Sequence, residues 1–206
     1  MSTDGGRSFG PDLKLADHSC ESCRIALAPA PDGLLAAMWR HVFAPNQRDH
    51  AFAPLSALPG REAVRATFDR WAIDACPHHR PGLAPAEAGG YHAVWFGERA
   101  GQARVHYGRL NADGSPLGEA RPLPDDRAEH AAVQSAGARV AIAWRSLEGQ
   151  VMRWRAWLSA DGGSSVVLKV LGSSADRDHP LLLRRADQVF APWRTTRGVR
   201  VERLLP

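Results

Sequence analysis

Four tryptophans recur along this chain in closely similar company: Ala37-Met38-Trp39-Arg40, Ala93-Val94-Trp95-Phe96, Ala143-Trp144-Arg145 and Pro192-Trp193-Arg194, at intervals of 56, 49 and 49 residues. A second landmark keeps the same step. Beyond each of the first three indoles a strand-like run ends in a turn, at Leu55 to Gly60, at Leu110-Asn111-Ala112-Asp113-Gly114 and at Leu158-Ser159-Ala160-Asp161-Gly162-Gly163. A period of about 50 residues that holds three or four short runs is that of a β-propeller blade.

The runs alternate apolar and polar residues and are bounded by Gly, Pro, Asp and Asn, while a 3.6-residue apolar period is never sustained past two turns, so the chain is predicted to be all-β. We read 1–206 as a single propeller domain of about four blades, near 24–74, 79–123, 130–171 and 178–206. Strands are predicted near 24–29, 34–42, 49–57 and 66–74; near 81–85, 91–97, 103–110 and 119–123; near 130–135, 139–146, 150–158 and 166–171; and near 179–184, 188–195 and 198–205. The fourth blade lacks its last strand. Residues 1–16, a turn followed by an apolar run, are expected to supply it beside 198–205, because ring closure removes an open sheet edge.

Composition narrows the function classes. Of 26 basic residues only Lys14 and Lys169 are lysines, and the arginines are scattered, with no run of five like charges. No phosphate-tracking stripe results, and nucleic acid is not the expected partner. No apolar run approaches the ~18 residues of a membrane span, and residues 1–20 carry no signal-peptide h-region. A secreted or periplasmic address is expected only if a longer N-terminus carried the signal. Nothing in the pattern fixes an oligomeric state.

Ser2-x-Asp4-x-Gly6-x-x-Phe9 matches the Asp-box pattern in full, and Ser159-x-Asp161-x-Gly163-x-x-Val166 matches it except at the aromatic. Such a carboxylate can accept backbone N–H bonds across a hairpin while Gly supplies positive φ and the aromatic lies beneath the turn. Asn111-x-Asp113 looks like a decayed copy. In these motifs the chain resembles the Asp-box (BNR-repeat) family of sialidase-like β-propellers. The resemblance implies a six-bladed ring, of which about four blades fit here. The chain therefore reads either as an N-terminally truncated piece of a longer propeller or as a closed four-bladed ring.

If the Asp boxes mark one end of the blades, the opposite end collects Arg40, His41, Asp49, His50, His79, Glu129, His130, Arg145, Asp178, His179 and Arg194. Arg40, Arg145 and Arg194 each follow their Trp and are similar to the arginine triad by which sialidases hold a carboxylate; converging guanidiniums suit a carboxylate or sulfate. Solvent-facing arginines are the competing reading. Asp49, Glu129 and Asp178 are the carboxylates available for acid–base work. The family's activity also needs a Tyr nucleophile, and Tyr91 and Tyr107 fall in strands away from this end, so a degenerate, non-catalytic propeller that binds an anionic glycan or similar ligand is expected. A truncated glycoside hydrolase and a protein-interaction scaffold are the alternatives. Cys20-Glu21-Ser22-Cys23 and Cys76-Pro77-His78 lie in neighbouring blades. Three thiols and the His78 imidazole suit tetrahedral zinc, with a disulfide or free thiols as the alternatives.

Overall fold

In the computed structural model, which describes residues 2–12, 14, 16–20, 23–57, 62–174 and 178–205, the regular elements are fifteen strands and one 3-10 turn at Leu55–Ala57. They form four antiparallel meanders set in a ring. Blade 1 comprises β1 (Ala26–Pro29), β2 (Leu35–Phe43), β3 (Gln47–Pro54) and β4 (Val64–Arg65); blade 2 comprises β5 (Gly82–Pro85), β6 (Tyr91–Arg99), β7 (Gln102–Leu110) and β8 (Pro116–Pro122). Blade 3 comprises β9 (Glu129–Ala136), β10 (Arg139–Glu148), β11 (Val151–Ser159) and β12 (Val167–Ser173). Blade 4 holds β13 (Leu183–Arg185), β14 (Gln188–Thr195) and β15 (Gly198–Leu205).

The second strand of blades 1 to 3 is buried on both faces, whereas in β14 buried and half-buried residues alternate. In β2, Ala36 and Met38 face blade 2, whereas Ala37 and Trp39 face the other way. Three apolar seams hold successive blades together, the first joining Met38 and Phe52 to Tyr91 and Trp95, the second Val94 and Tyr107 to Ile142 and Trp144, the third Ala143 and Trp154 to Val189 and Trp193. Burying one such side chain contributes about 1.5–3 kcal/mol, so the recurring Trp is the largest recurring element of the seams.

The repeating indoles of blades 2, 3 and 4 each face the blade before and find an acceptor there. Trp95 Nε1 donates to Asp69 Oδ2 at 2.7 Å, Trp144 Nε1 to Asp125 Oδ2 at 2.9 Å and Trp193 Nε1 to the Ser173 carbonyl at 3.3 Å. Burial alone would lift the Asp125 carboxyl, but hydrogen bonds from Trp144 and Ser146 hold it below the ordinary value. Trp39, in blade 1, lies against Ala53 and Ala16, and its buried Nε1 has no partner among the described residues.

The acidic turns take the geometry their residues dictate. Gly163 N–H donates to Ser159 Oγ at 2.8 Å, and Ser165 donates to Asp161 through its N–H at 2.8 Å and its hydroxyl at 2.6 Å. Residues 2–8 repeat this: Gly6 N–H to Ser2 Oγ at 2.8 Å, Ser8 N–H and hydroxyl to Asp4 at 3.0 and 2.6 Å. Hydrogen bonds led by the Ser165 hydroxyl draw the Asp161 carboxyl down to about 2, and those led by the Ser8 hydroxyl draw Asp4 lower in the same way. Asn111 and Asp113 converge on Ser115 in a shorter version.

Three expectations are corrected. Blade 1 closes on two residues of strand at β4 where 66–74 is predicted, because side chains intercept the ladder: Thr67 Oγ takes the His50 N–H at 2.9 Å and Asp49 takes the Arg70 N–H at 3.1 Å. Residues 2–12 form no strand, and among the described residues no segment pairs with the outer side of β15. Pro11 offers no N–H to a ladder, and Leu13 and Leu15, on which the expected strand depends, lie outside the described residues. The chain instead joins blade 1 at 18–20, through Cys20 N–H to Arg40 O at 3.0 Å and Val42 N–H to His18 O at 2.8 Å. Phe9 is exposed, and residues 2–12 around it form no strand.

Candidate functional site

The segments entering the inner strands bring one polar residue after another to the ring axis: Arg24 ahead of β1, His79 and Arg80 ahead of β5, His130 at the start of β9, His179 ahead of β13. Their rings form a column. Phe96 stacks on His79 with centroids 3.9 Å apart, His79 on His130 at 4.5 Å and His130 on His179 at 3.9 Å, and Arg24 Nη1 stands 3.3 Å from His179 Nδ1. Four blades thus contribute to one constellation.

Guanidiniums surround the column. Arg80 donates to the Pro180 carbonyl, and Arg145 donates to Glu129 Oε2 at 3.3 Å and to the Asp178 carbonyl at 3.2 Å. Burial and then the charges of Arg40 and Arg145 lower His79 to about 4; burial and the neighbouring His79 and His179, with Arg145 and Arg80, lower His130 to about 3. Burial, Arg145 and Arg24 lower His179 as well. At neutral pH the imidazoles are uncharged, and the mouth is cationic through arginine alone. Nδ1 of His79 and of His130 has no hydrogen-bond partner among the described residues. Such a site can hold an anion by charge and a hydroxyl-rich ligand by imidazole hydrogen bonds.

The structure divides the residues that sequence groups together. His79, His130, Arg145, His179, Glu129 and Asp178 meet at the axis. Arg40 is enclosed between blades 1 and 2, with Nη1 on the Arg48 carbonyl at 3.0 Å and Nη2 on the Phe96 carbonyl at 2.6 Å, so it braces the seam away from the axial column. Arg194 is exposed; its backbone N–H donates to Asp178 Oδ2 at 2.7 Å. The three arginines therefore have three different surroundings. His50 is buried near Trp95 and bonded to Thr67, and His41 packs on Phe43 beside the N-terminal segment. Asp49, wholly buried, receives Arg65 and the Arg70 N–H; its burial raises the carboxyl in spite of them. None of these three is at the mouth.

Cys20, Cys23 and Cys76 do come together, with Sγ separations of 3.1, 3.2 and 3.1 Å and no disulfide. The His78 imidazole is not in that group; its backbone N–H is hydrogen-bonded to Cys76. Phe96, the floor of the column, escapes sequence reasoning because it replaces the post-Trp arginine of the other blades. Asp69 and Asp125 escape it too, at unequal distances from the indoles they serve; an acid closing one blade ahead of the next Trp is the signal that marks them. Two cavities of about 470 Å³ lie elsewhere, one beside Phe68, Trp95 and Arg109, the other beside Arg153, Trp193 and Arg200. Neither contains a residue of the column or a cysteine.

Together these features define a β-propeller with a polar axial mouth. No protein-family model and no curated protein matches the sequence. Among solved structures the chain is similar to an α-L-arabinofuranosidase from Clostridium thermocellum, with 12% identity and a TM-score of 0.53 over 86% of this chain and 67% of that one. It is also similar to an exo-1,5-α-L-arabinanase from a bovine ruminal metagenomic library (12% identity, TM-score 0.47, 84% of this chain and 73% of that one). A third is the β-fructofuranosidase BmSUC1 of Bombyx mori (11% identity, TM-score 0.48, 87% and 44%). The first of these establishes the propeller fold. The chain spans about two thirds of the length of the arabinofuranosidase and less than half that of the fructofuranosidase.

Proposed function

We propose that this chain is a sialidase-like propeller that binds an anionic glycan or a comparable small anion at its axial mouth, without hydrolysing it. The observation that carries the reading is the column of three neutral imidazoles ringed by Arg24, Arg80 and Arg145. The paired acidic turns support the sialidase-like part, and the arabinofuranosidase named above makes carbohydrate the first ligand class to try. Hydrolysis by a glycosidase uses two carboxyl groups, one as acid and one as base or nucleophile. Here Glu129 is held by Arg145, and Asp178 is held by the Arg194 N–H.

Calorimetric titration with uronic, sialic and sulfated sugars beside their neutral counterparts tests this. The charged members are expected to bind, and Arg24→Gln, which removes an exposed cation outside the core, is expected to weaken them about tenfold. Equal binding of neutral and charged sugars, or indifference to Arg24→Gln, refutes the reading. Turnover of fluorogenic glycosides refutes its non-catalytic half.

A further inference from the structure

We propose that Cys20, Cys23 and Cys76 form a zinc site with three thiolate ligands and a fourth position open to solvent. The sulfurs come from segments more than fifty residues apart and make a nearly equilateral triangle, 3.1 to 3.2 Å on a side. A disulfide needs two sulfurs about 2.05 Å apart and leaves the third idle; equal spacing of all three is the arrangement that serves one central ion. An ion about 2.3 Å from each sulfur stands about 1.4 Å above this triangle, and opening each edge by about 0.6 Å gives regular tetrahedral spacing.

The frame around the sulfurs is fixed from both sides. Cys20 N–H donates to the Arg40 carbonyl of β2, and Cys23 N–H to the Cys20 carbonyl at 3.5 Å. On the other side Arg48 of β3 donates through Nε to the Ile73 carbonyl at 2.8 Å and through Nη1 to Cys20 Sγ at 3.5 Å. The His78 backbone N–H, at a residue with φ of 53°, is bonded to Cys76, and such second bonds orient metal thiolates.

Charge points the same way. Three thiolates and a divalent zinc leave one negative charge, and two guanidiniums are in place to offset it. Arg40 is fully buried and makes no ion pair among the described residues, its strongest attraction being to Cys23 and Cys20. A buried cation whose hydrogen bonds go to carbonyls and not to a carboxylate is costly, and an anionic metal–thiolate group beside it lowers that cost. A cavity of about 230 Å³, lined by Cys20, Cys23, Ile25, Trp39 and Arg40, opens on the cluster and gives the fourth ligand, a water or a small anion, its room. The Trp39 indole N–H on its wall is a buried donor without an acceptor among the described residues. Soft sulfur ligands with one open position select zinc over magnesium or calcium.

The test is metal analysis of the chain purified without chelator or affinity metal, followed by cobalt(II) titration of the zinc-stripped chain. One zinc per chain is expected. A mercurial should expose three thiols in step with zinc release, and cobalt should give the intense visible bands of tetrahedral thiolate coordination. Cys23→Ser and Cys76→Ser should each weaken cobalt binding by at least about tenfold. A disulfide in the unreduced chain, seen as a mass two hydrogens short with a single free thiol, overturns the proposal. Three free thiols with no cobalt spectrum under excess metal also overturn it. The wild-type measurements decide the matter even if a serine variant does not fold.

Discussion

Asp69 offers the sharpest test of how the blades are joined. It receives the Trp95 indole N–H at 2.7 Å and Arg99 Nε at 2.5 Å, its side chain is 2% exposed, and it lies so close to β6 that a Cβ on Gly97 would overlap its carboxylate. Asp69→Ala leaves the buried indole donor unpaired, at about 1–3 kcal/mol. The Arg99 pair, 40% exposed on the arginine side, adds only about 0.2–1 kcal/mol. A loss near 3 kcal/mol in a domain of this length lowers the melting temperature by about 6–12 °C. Asp69→Asn keeps an acceptor oxygen and is expected to lose less than half as much. Urea and thermal unfolding followed by far-UV circular dichroism, run also in a Trp95→Phe background, read the coupling. If Asp69→Ala and Trp95→Phe add to within about 0.5 kcal/mol, the indole bond does not join the blades and the reasoning fails.

Gly163→Ala is expected to cost about 2–4 kcal/mol, since φ is +89° and the new methyl collides with the Tyr107 hydroxyl. Gly6→Ala, at φ +87° in the matching turn with open space around it, is expected to change global stability by less than about 0.5 kcal/mol. Equal effects in chemical denaturation would show that the turn, not its seat on Tyr107, sets the cost. His92, buried and bonded to Tyr107 at 2.8 Å, is lowered to about 4 by burial and by Arg109. Between pH 6.5 and 4 the unfolded chain takes up a proton that the folded chain refuses, so stability falls as pH falls through that window. From pH 7 to pH 5 this residue removes about 2 kcal/mol. His92→Gln should flatten the pH dependence of the melting temperature there, and an unchanged slope would contradict the assignment.

The repeat of indoles and acidic turns made the blades legible, because alternation and turn chemistry are local and the strands follow from them. The end of the blades at which His79, His130, His179 and the cysteines gather was legible for the same reason. The surroundings of equivalent side chains were not. Arg40, Arg145 and Arg194 occupy one position in the repeat, but the first reaches the carbonyl of Phe96, the second pairs with Glu129 on the adjacent strand and reaches on to the Asp178 carbonyl of the next blade, and the third is exposed. Those outcomes are set by the neighbouring blade, which the repeat does not encode. Likewise the ladder beyond β3 gives way to Thr67 and Asp49, whose side-chain hydrogen bonds leave no mark in an apolar pattern.

The indole bonds all run one way, from a later blade to the one before it. Dismantling the ring is therefore asymmetric. Peeling blade 4 away strips no indole of its acceptor in the blades that stay, whereas loosening blade 1 orphans a donor in blade 2, and loosening blade 2 orphans one in blade 3. Fraying from the C-terminal side is the milder event, and partial unfolding should spread more readily from there than from the N-terminal side.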